Sequence, residues 1–156
     1  HVPHPLKLPD GMLAPGAQAL MIHWWNERAS LIPPQGPTIA WALDTSRRMR
    51  HSLRLIAQYI QANSTCKEIQ AVGGITAHVA LGKADGGRVM LEHLGFVVIP
   101  YYRPLGAFGE FFENFYTWWV IWTFNPASTR RRSMFNLQRT EFWMSRRAFL
   151  ERYGQE

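Results

Sequence analysis

The stretch Gly106 to Arg132, GAFGEFFENFYTWWVIWTFNPASTRRR, decides how the rest of the chain can fold. Its aromatic residues recur at the i, i+3, i+4, i+7 spacing that predicts an amphipathic helix over 106–124. One face of that helix collects Phe108, Phe111, Phe112, Phe115, Trp119 and Trp122, and the opposite face carries Glu110, Glu113, Asn114 and Thr117. Asn125-Pro126 is expected to end the helix, because proline lacks a backbone donor and disfavours helical geometry in the residue before it.

The aromatic face has two interpretations. In the first interpretation the face is part of the protein core. A single-domain core needs such a face, because burying an aromatic side chain contributes about 1.5–3 kcal/mol. Among the tryptophans of this helix, Trp118 is then expected to be the most exposed. The residues predicted to be largely buried, against the other long helix or the sheet, are Phe111, Phe112, Phe115 and Trp119.

In the alternative interpretation, part of the helix contacts lipid or a partner protein. Tryptophan is favoured at membrane interfaces because its ring is apolar while its N–H needs a polar partner. The uninterrupted apolar part is well short of the roughly 20 residues that a membrane span needs. The candidate residues of this membrane or partner surface are Trp118, Trp122, Arg130, Arg131 and Arg132, the arginines supplying positive charge.

Composition limits the class of protein. A chain of 156 residues, 47% of them apolar, predicts one domain with a sizeable core. The net charge is +6, with fourteen arginines against three lysines, which is compatible with anion binding because guanidinium groups match carboxylates and phosphates. Cys66 is the single cysteine, which excludes an internal disulfide and argues against a cysteine-based zinc site. The absence of a hydrophobic signal region is weak evidence about location, since the chain begins with His1.

The first half of the chain predicts an arm, a strand and a long helix. Residues 1–9 carry three prolines and predict an irregular N-terminal arm, and the apolar run from Gln18 to Trp25 predicts a buried strand. Thr38 is expected to cap a helix that runs to about Ala62. Arginines crowd the exposed side of that helix, which is either a solvated face or an anion-binding ridge.

The second half predicts short strands interleaved with helices. Glu68 to Val72 and Ile75 to Leu81 predict two strands joined by a tight turn at Gly73-Gly74. The later elements are a short helix over Arg88 to Leu94, a strand over Phe96 to Tyr101, the aromatic helix, a strand over Asn136 to Met144 and a last helix capped by Ser145. This irregular order predicts an α+β fold in which residues 1–156 form a single compact domain. Its small mixed sheet is expected to pack against two substantial helices, about 38–62 and 106–124.

A polar cluster follows the first predicted strand. It comprises His23, Asn26, Glu27 and Arg28, and Arg47 or Arg50 of the long helix would complete a ligand-binding or anion-binding site. Strand ends are precise platforms for such sites. The alternative is that His23 is a hydrogen-bonded core or edge residue. No nucleophile lies nearby in the sequence, so the catalytic residues of any reaction stay unknown.

The chain shows no motif for a metal, a cofactor or a nucleic acid. The six histidines lack H-x-x-x-H and H-E-x-x-H spacing, and the glycine-rich loop 82–87 matches no phosphate-binding motif, so neither metal nor cofactor is expected. Leu91 to Phe96 resembles the helix–glycine–strand step of GNAT-type acetyltransferases, but the loop with which that family holds acetyl-CoA is absent. Nucleic-acid binding is disfavoured because the aromatic residues form a helical stripe and do not alternate with basic residues on strands.

Several short motifs, taken in order, resemble the YkoP-like domain, a bacterial domain that occurs alone or fused behind polysaccharide deacetylase domains. They are Asp10-Gly11, Pro15-Gly16, His23-x-x-Asn26-Glu27, Ser52-Leu53-x-x-Ile56-Ala57, Leu94-Gly95-Phe96 and Met144-Ser145 with Arg152-Tyr153-Gly154. The chain lacks a deacetylase domain, so that activity is not expected. The resemblance implies a bacterial cell-envelope accessory domain of unknown activity, cytoplasmic or peripheral to the membrane. Its expected partner is anionic lipid or an envelope enzyme.

Overall fold

The computed structural model describes residues 1–23, 33, 38–79, 86–102, 106–124, 126 and 137–155. Over these ranges the helices are α1 (Ile39–Ala62), α2 (Gly86–His93), α3 (Gly106–Phe124) and α4 (Arg146–Tyr153), with a short 3-10 helix at Ser64–Cys66. The strands are β1 (Leu6–Leu8), β2 (Gly11–Leu13), β3 (Ala19–Met21), β4 (Ala71–Val79), β5 (Val97–Pro100) and β6 (Leu137–Ser145). The predicted α+β class is confirmed, and both long helices have the predicted bounds.

A four-stranded mixed sheet in the order β3-β4-β6-β5 supports the other elements. β3 is parallel to β4, whereas β6 is antiparallel to both of its neighbours. Alternate residues of β6 point to opposite faces of the sheet. Phe142 and Met144 therefore face one side, and Arg139, Glu141 and Trp143 face the other.

The first face of the sheet is covered by α1, α2 and α4. Leu53, Ala57 and Ile60 of α1 are buried against Phe142 and the other residues of this core. Two predicted helix caps are confirmed, because hydroxyl oxygens at the starts of α1 and α4 accept backbone N–H bonds that the helices leave unsatisfied. The pairs are Thr38 Oγ1 with the Trp41 nitrogen at 3.2 Å and Ser145 Oγ with the Ala148 nitrogen at 3.1 Å.

The second face is covered in part by a hairpin, where the sequence predicted an irregular arm. β1 pairs antiparallel with β2, and Val2, Leu6 and Leu8 are buried with Trp143 in a second apolar cluster. The prolines of residues 1–9 lie outside the three-residue strand and leave its apolar alternation intact. The prediction of an irregular arm is therefore wrong.

Gly73 and Gly74 lie inside β4, so the predicted turn between two strands is also wrong. A Cβ atom on Gly73 would come within 2.3 Å of the Trp143 ring, and one on Gly74 would meet the Ile22 carbonyl oxygen at 2.5 Å. The two glycines thus allow close approach within a continuous strand. Ile22 extends the β3 pairing by donating its N–H to the Gly73 carbonyl oxygen at 2.6 Å. Trp24 and Trp25, in the rest of the predicted first strand, lie outside the described residues.

Asp10, at the tip of the hairpin, is joined to the start of α4. It accepts a hydrogen bond from Ser145 Oγ, and Arg147 lies 3.3 Å from the same carboxylate oxygen. The Ser145 hydrogen bond is the main cause that holds the pKa of Asp10 below its usual value of 3.8, and Arg147 contributes further. A depressed carboxyl pKa stabilises the folded state above the unfolded pKa and loses that contribution as pH falls through the folded pKa.

We expect Asp10→Asn to lower the free energy of unfolding near neutral pH and to reduce its dependence on pH below about 4. Urea unfolding of both proteins between neutral pH and the acidic range measures this. The difference in free energy of unfolding between the wild type and Asp10→Asn should narrow as pH falls. Asp44→Asn is the matched control, since Asp44 forms a solvent-exposed pair with Arg48 on α1. If the free energy of unfolding depended on pH equally in the wild type and in Asp10→Asn, the Asp10 carboxylate would not stabilise the fold as we infer.

Candidate functional site

The aromatic face of α3 is exposed to solvent. Six side chains that share this face are 45–77% exposed: Phe108, Phe111, Phe112, Phe115, Trp119 and Trp122. Tyr116 and Phe124 are exposed as well, at 65% and 46%. Both carboxylates of the helix, on Glu110 and Glu113, are half-buried on its other side. The helix therefore turns its polar side towards the protein and its apolar side outward.

This orientation corrects the predicted burial of Phe111, Phe112, Phe115 and Trp119. The grouping of residues into two faces is confirmed, but the side that contacts the protein is the polar one. The physical reason lies in β6, whose Arg139 rises from the sheet beside α3. A guanidinium group at that position is satisfied by polar side chains and would be left without partners under an aromatic face.

Arg139 joins the sheet to α3 through three side chains on two adjacent turns of the helix. Its Nε donates to Asn114 Oδ1 at 3.1 Å, and its terminal nitrogen donates to Thr117 Oγ1 at 2.8 Å. Arg139 Nε also lies 3.6 Å from Glu113 Oε2, and both side chains are largely shielded from solvent. Tyr101 completes the group, with its ring 6.0 Å from the guanidinium carbon. These contacts fix which face of α3 points outward.

A shallow apolar cleft of about 200 Å³ lies on α3, lined by Phe115, Trp118, Trp119 and Trp122. Trp118 and Trp122 form one wall, with ring planes 9° apart and centroids 6.3 Å apart. Trp118 is half-buried, whereas Trp119 and Trp122 are 53% and 52% exposed. The prediction that Trp118 is the most exposed of the three is therefore wrong, because its ring lies nearer the polar side that faces the protein.

A buried carboxylate lies next to Arg139 along β6. Glu141 is only 1% exposed and accepts hydrogen bonds from Trp143 Nε1 at 2.8 Å and from the Tyr102 backbone nitrogen at 2.9 Å. His4 Nε2 lies 3.1 Å and 3.2 Å from its two oxygens. Glu141 thus ties the N-terminal segment and the residues after β5 to the centre of the sheet.

Tyr101 lies between the Arg139 and Glu141 groups. Its hydroxyl is 3.5 Å from Glu113 Oε2. Burial raises the pKa of Tyr101 above its usual value of 10.0, and the negative charges of Glu113 and Glu141 add to the rise, whereas Arg139 opposes it. The hydroxyl therefore stays protonated near neutral pH and acts as a hydrogen-bond donor, which gives the group a structural role beneath α3.

The predicted polar site around His23 is described only in part. His23, Arg47 and Arg50 are exposed, and His23 follows the buried Ile22 at the end of β3. Asn26, Glu27 and Arg28 lie outside the described residues, as do Arg130, Arg131 and Arg132 of the predicted membrane surface. The convergence of the polar cluster stays a prediction. Trp122 is exposed on α3, as a surface residue must be.

Two further features bear on ligands. Among the described residues, no group of three or more histidine, cysteine, aspartate or glutamate side chains is placed to hold a metal ion. No helix in the described ranges combines the length and apolar character needed to cross a bilayer.

Comparison with protein families matches residues 3–153 to the YkoP domain. The chain belongs to the YkoP domain family. The match spans both faces of the sheet, from the N-terminal hairpin to α4, and the resemblance seen in the sequence motifs is confirmed. No curated protein and no solved structure matches the chain. Membership in the YkoP family supports a domain of unknown activity and does not add a reaction.

Sequence patterns did not predict the hydrogen-bonded groups beneath α3. Arg139 and Glu141 alternate with Thr140 and Phe142, and the sequence predicts only a strand over Asn136 to Met144, without partners for its charged residues. One signal was present in the sequence. Glu141 lies two positions before Trp143, so both side chains point to the same face of the strand and lie side by side. His4 was assigned to an arm and had no predicted partner, since its contact with Glu141 spans 137 residues.

Proposed function

We propose that the chain is an accessory domain of the bacterial cell envelope that attaches peripherally to an anionic membrane through α3. The observation that carries the proposal is the exposed aromatic face, together with the polar anchor that holds it outward. In a soluble domain such a continuous apolar patch marks an interaction site. A helix of 19 residues lying flat would place about 28 Å of aromatic surface against lipid.

The residue types on this face suit a bilayer interface. Transfer of phenylalanine rings out of water is favourable. The N–H groups of Trp119 and Trp122 can donate hydrogen bonds to headgroup or water oxygens at the boundary. Both carboxylates of α3 are half-buried on the side of the protein, so they do not meet an anionic surface directly. The aromatic residues supply the apolar contact that charge alone does not provide.

Positive charge favours an anionic membrane. The chain carries a net charge of +6, and its sequence places Arg103 before α3 and Arg130, Arg131 and Arg132 after it. Each basic residue near an anionic surface contributes on the order of 1 kcal/mol, which is useful but insufficient without buried aromatics. Charge and apolar contact together are the combination that membrane-surface helices use.

Sedimentation with vesicles tests the proposal. We expect the protein to pellet with vesicles that contain phosphatidylglycerol and to pellet less with pure phosphatidylcholine. High salt should weaken the binding without abolishing it, because salt screens charge and leaves the apolar contribution. Absence of binding to phosphatidylglycerol vesicles at low salt would overturn the proposal.

Other occupants of the face give different outcomes. Concentration-dependent dimerisation in sedimentation velocity, lost when aromatic residues of α3 are replaced, would assign the face to a second copy of the chain. Retention on an envelope enzyme without any vesicle binding would assign it to a protein partner. Either result would replace the membrane assignment, and both measurements use the intact chain.

The alternative function is an enzyme or a small-ligand-binding domain with a polar site around His23, Asn26, Glu27 and the arginines of α1. It requires these side chains to converge on one concave surface. The exposed positions of His23, Arg47 and Arg50 leave this prediction open but do not favour it over the aromatic face.

A further inference from the structure

Polar contacts attach α3 to the sheet. None of its described side chains is buried, whereas α1, α2 and α4 each contribute buried residues to the core. Arg139 donates hydrogen bonds to Asn114 and Thr117 of α3 and lies beside Glu113. An element with few buried apolar contacts opens locally at a lower free energy than the whole domain needs to unfold. We therefore expect α3 to detach while the rest of the fold stays intact.

The first residue of α3 can act as a pivot. Gly106 has a φ of +64°, a conformation that glycine adopts readily because it lacks a Cβ atom. A Cβ atom built on Gly106 would meet nothing within 4 Å among the described residues. Hinges are often a few residues at the end of an element that absorb a change in backbone angles. The geometry at Gly106 is thus compatible with a swing of the whole helix.

The last two turns of α3 are apolar on every side. Residues 118–124 contain one polar residue, Thr123, whose hydroxyl donates to the Trp119 carbonyl oxygen at 2.9 Å within the helix. Three further side chains of these turns are half-buried: Trp118, Val120 and Ile121. In water, release of α3 would expose these three side chains at a cost in free energy. In a bilayer that cost is small, because acyl chains are as apolar as aliphatic side chains.

We propose that the contacts of Arg139 with Glu113, Asn114 and Thr117 form a latch that holds α3 against the sheet in water and releases it at a membrane. This proposal rests on the proposed membrane attachment through α3 and adds its regulation. At a membrane, lipid can surround the apolar last turns, so the latch is what opposes release. A membrane that binds the released form better shifts the protein towards that form.

Weakening the latch should therefore have two linked effects. While the docked form predominates, loss of a latch contact raises the released fraction of α3. The apparent affinity for vesicles is proportional to that fraction, so it should rise by the same factor.

Hydrogen–deuterium exchange of the intact chain measures the opening of α3. A helix of 19 residues is only marginally stable in water on its own, so released α3 should exchange its amide hydrogens. In the wild type we expect α3 to exchange at least about 10-fold faster than the central strand β6. Thr117→Ala removes one acceptor from Arg139 and should accelerate the exchange of α3 about 3- to 10-fold, with β6 unchanged.

Thr123→Ala is the matched control, because it makes the same change on the same helix at a hydroxyl that bonds within α3. In vesicle sedimentation, Thr117→Ala should bind phosphatidylglycerol vesicles about 3- to 10-fold more tightly, and Thr123→Ala should stay within about twofold of the wild type. Arg139→Gln should also bind more tightly, although the loss of a positive charge alone would weaken binding to anionic lipid. Circular dichroism verifies that each variant is folded.

The two measurements separate the latch from the membrane assignment. Equal exchange of α3 in Thr117→Ala and Thr123→Ala, or wild-type α3 that exchanges as slowly as β6, would overturn the latch and leave membrane attachment standing. Faster exchange of α3 in Thr117→Ala with unchanged vesicle affinity would overturn release at the membrane. If neither the wild type nor any variant bound vesicles, the proposed function would fail, and release at the membrane with it.

Discussion

Replacing Phe112 and Trp119 together by serine is expected to weaken binding to phosphatidylglycerol vesicles by about 10- to 100-fold. Both side chains are 53% exposed in the free protein, so their removal deletes surface that is available for lipid. Full burial of an aromatic side chain contributes about 1.5–3 kcal/mol, and roughly half of that remains to be gained at these two positions. Vesicle sedimentation over a range of lipid concentrations measures the change.

The matched control replaces Leu55 and Tyr59 of α1 by serine. These two side chains are 51% and 55% exposed, close to the values for Phe112 and Trp119, but they lie on another helix. We expect the control to bind vesicles like the wild type. Equal losses in both double variants would mean that general hydrophobicity, and no particular face, attracts the protein to lipid. Unchanged vesicle binding in the α3 variant would contradict the proposal that α3 contacts the membrane.

Glu141→Leu is expected to destabilise the fold by about 3–5 kcal/mol. The change leaves the buried Trp143 Nε1 and the part-buried Tyr102 N–H, which both donate to Glu141, without their acceptor. It also removes the anion beside His4, whose imidazole is 21% exposed. Removing one partner of a buried polar group is costly because the other partners stay desolvated. Urea unfolding followed by circular dichroism measures the loss.

Glu141→Gln should have a smaller cost, about 1–3 kcal/mol, because its carbonyl oxygen still accepts one of these hydrogen bonds. Glu151→Leu is the control for removing a carboxylate, since Glu151 is exposed on α4, and its effect should stay within about 0.5 kcal/mol. If Glu141→Leu were as stable as the wild type, the hydrogen-bonded group would not hold the N-terminal segment to the sheet.

Local signals in the sequence predicted most elements of the fold. Thr38 and Ser145 cap α1 and α4 because hydroxyl side chains bond to free N–H groups within three residues, a contact that needs no tertiary structure. The end of α3 before Pro126 is equally local. These elements could be placed from neighbouring residues alone.

Contacts between distant residues explain the errors. The spacing of aromatic residues defined the two faces of α3, but only Arg139 on β6 decides which face turns inward, and the two lie 22 to 26 residues apart. Gly73 and Gly74 have the composition of a turn, yet Trp143 and Phe142 of the partner strand make them the close-contact positions of β4. Likewise, pairing with β2 and burial against Trp143 make a strand of a proline-rich start.

The exposure of the residues on α3 differs from the sequence-based expectation. Trp122 is on the exposed face as proposed, whereas Trp118 lies nearer the protein, and Phe112 and Trp119 are surface residues where burial was expected. Periodicity alone assigns an aromatic face to the core, because soluble helices usually bury that face. An inward arginine on a neighbouring strand reverses the assignment, and no single-sequence pattern reveals that it lies beneath α3.

Quenching of tryptophan fluorescence by lipids brominated on their acyl chains shows directly whether α3 enters the bilayer. We expect strong quenching on binding to phosphatidylglycerol vesicles, because Trp119 and Trp122 of α3 enter the acyl boundary. A variant with Trp119→Phe and Trp122→Phe keeps the apolar rings and should still sediment with vesicles, but most of the quenching should disappear. Sedimentation of the wild type without quenching, or quenching that is the same in the variant, would show that α3 does not enter the bilayer and would contradict membrane attachment through this helix.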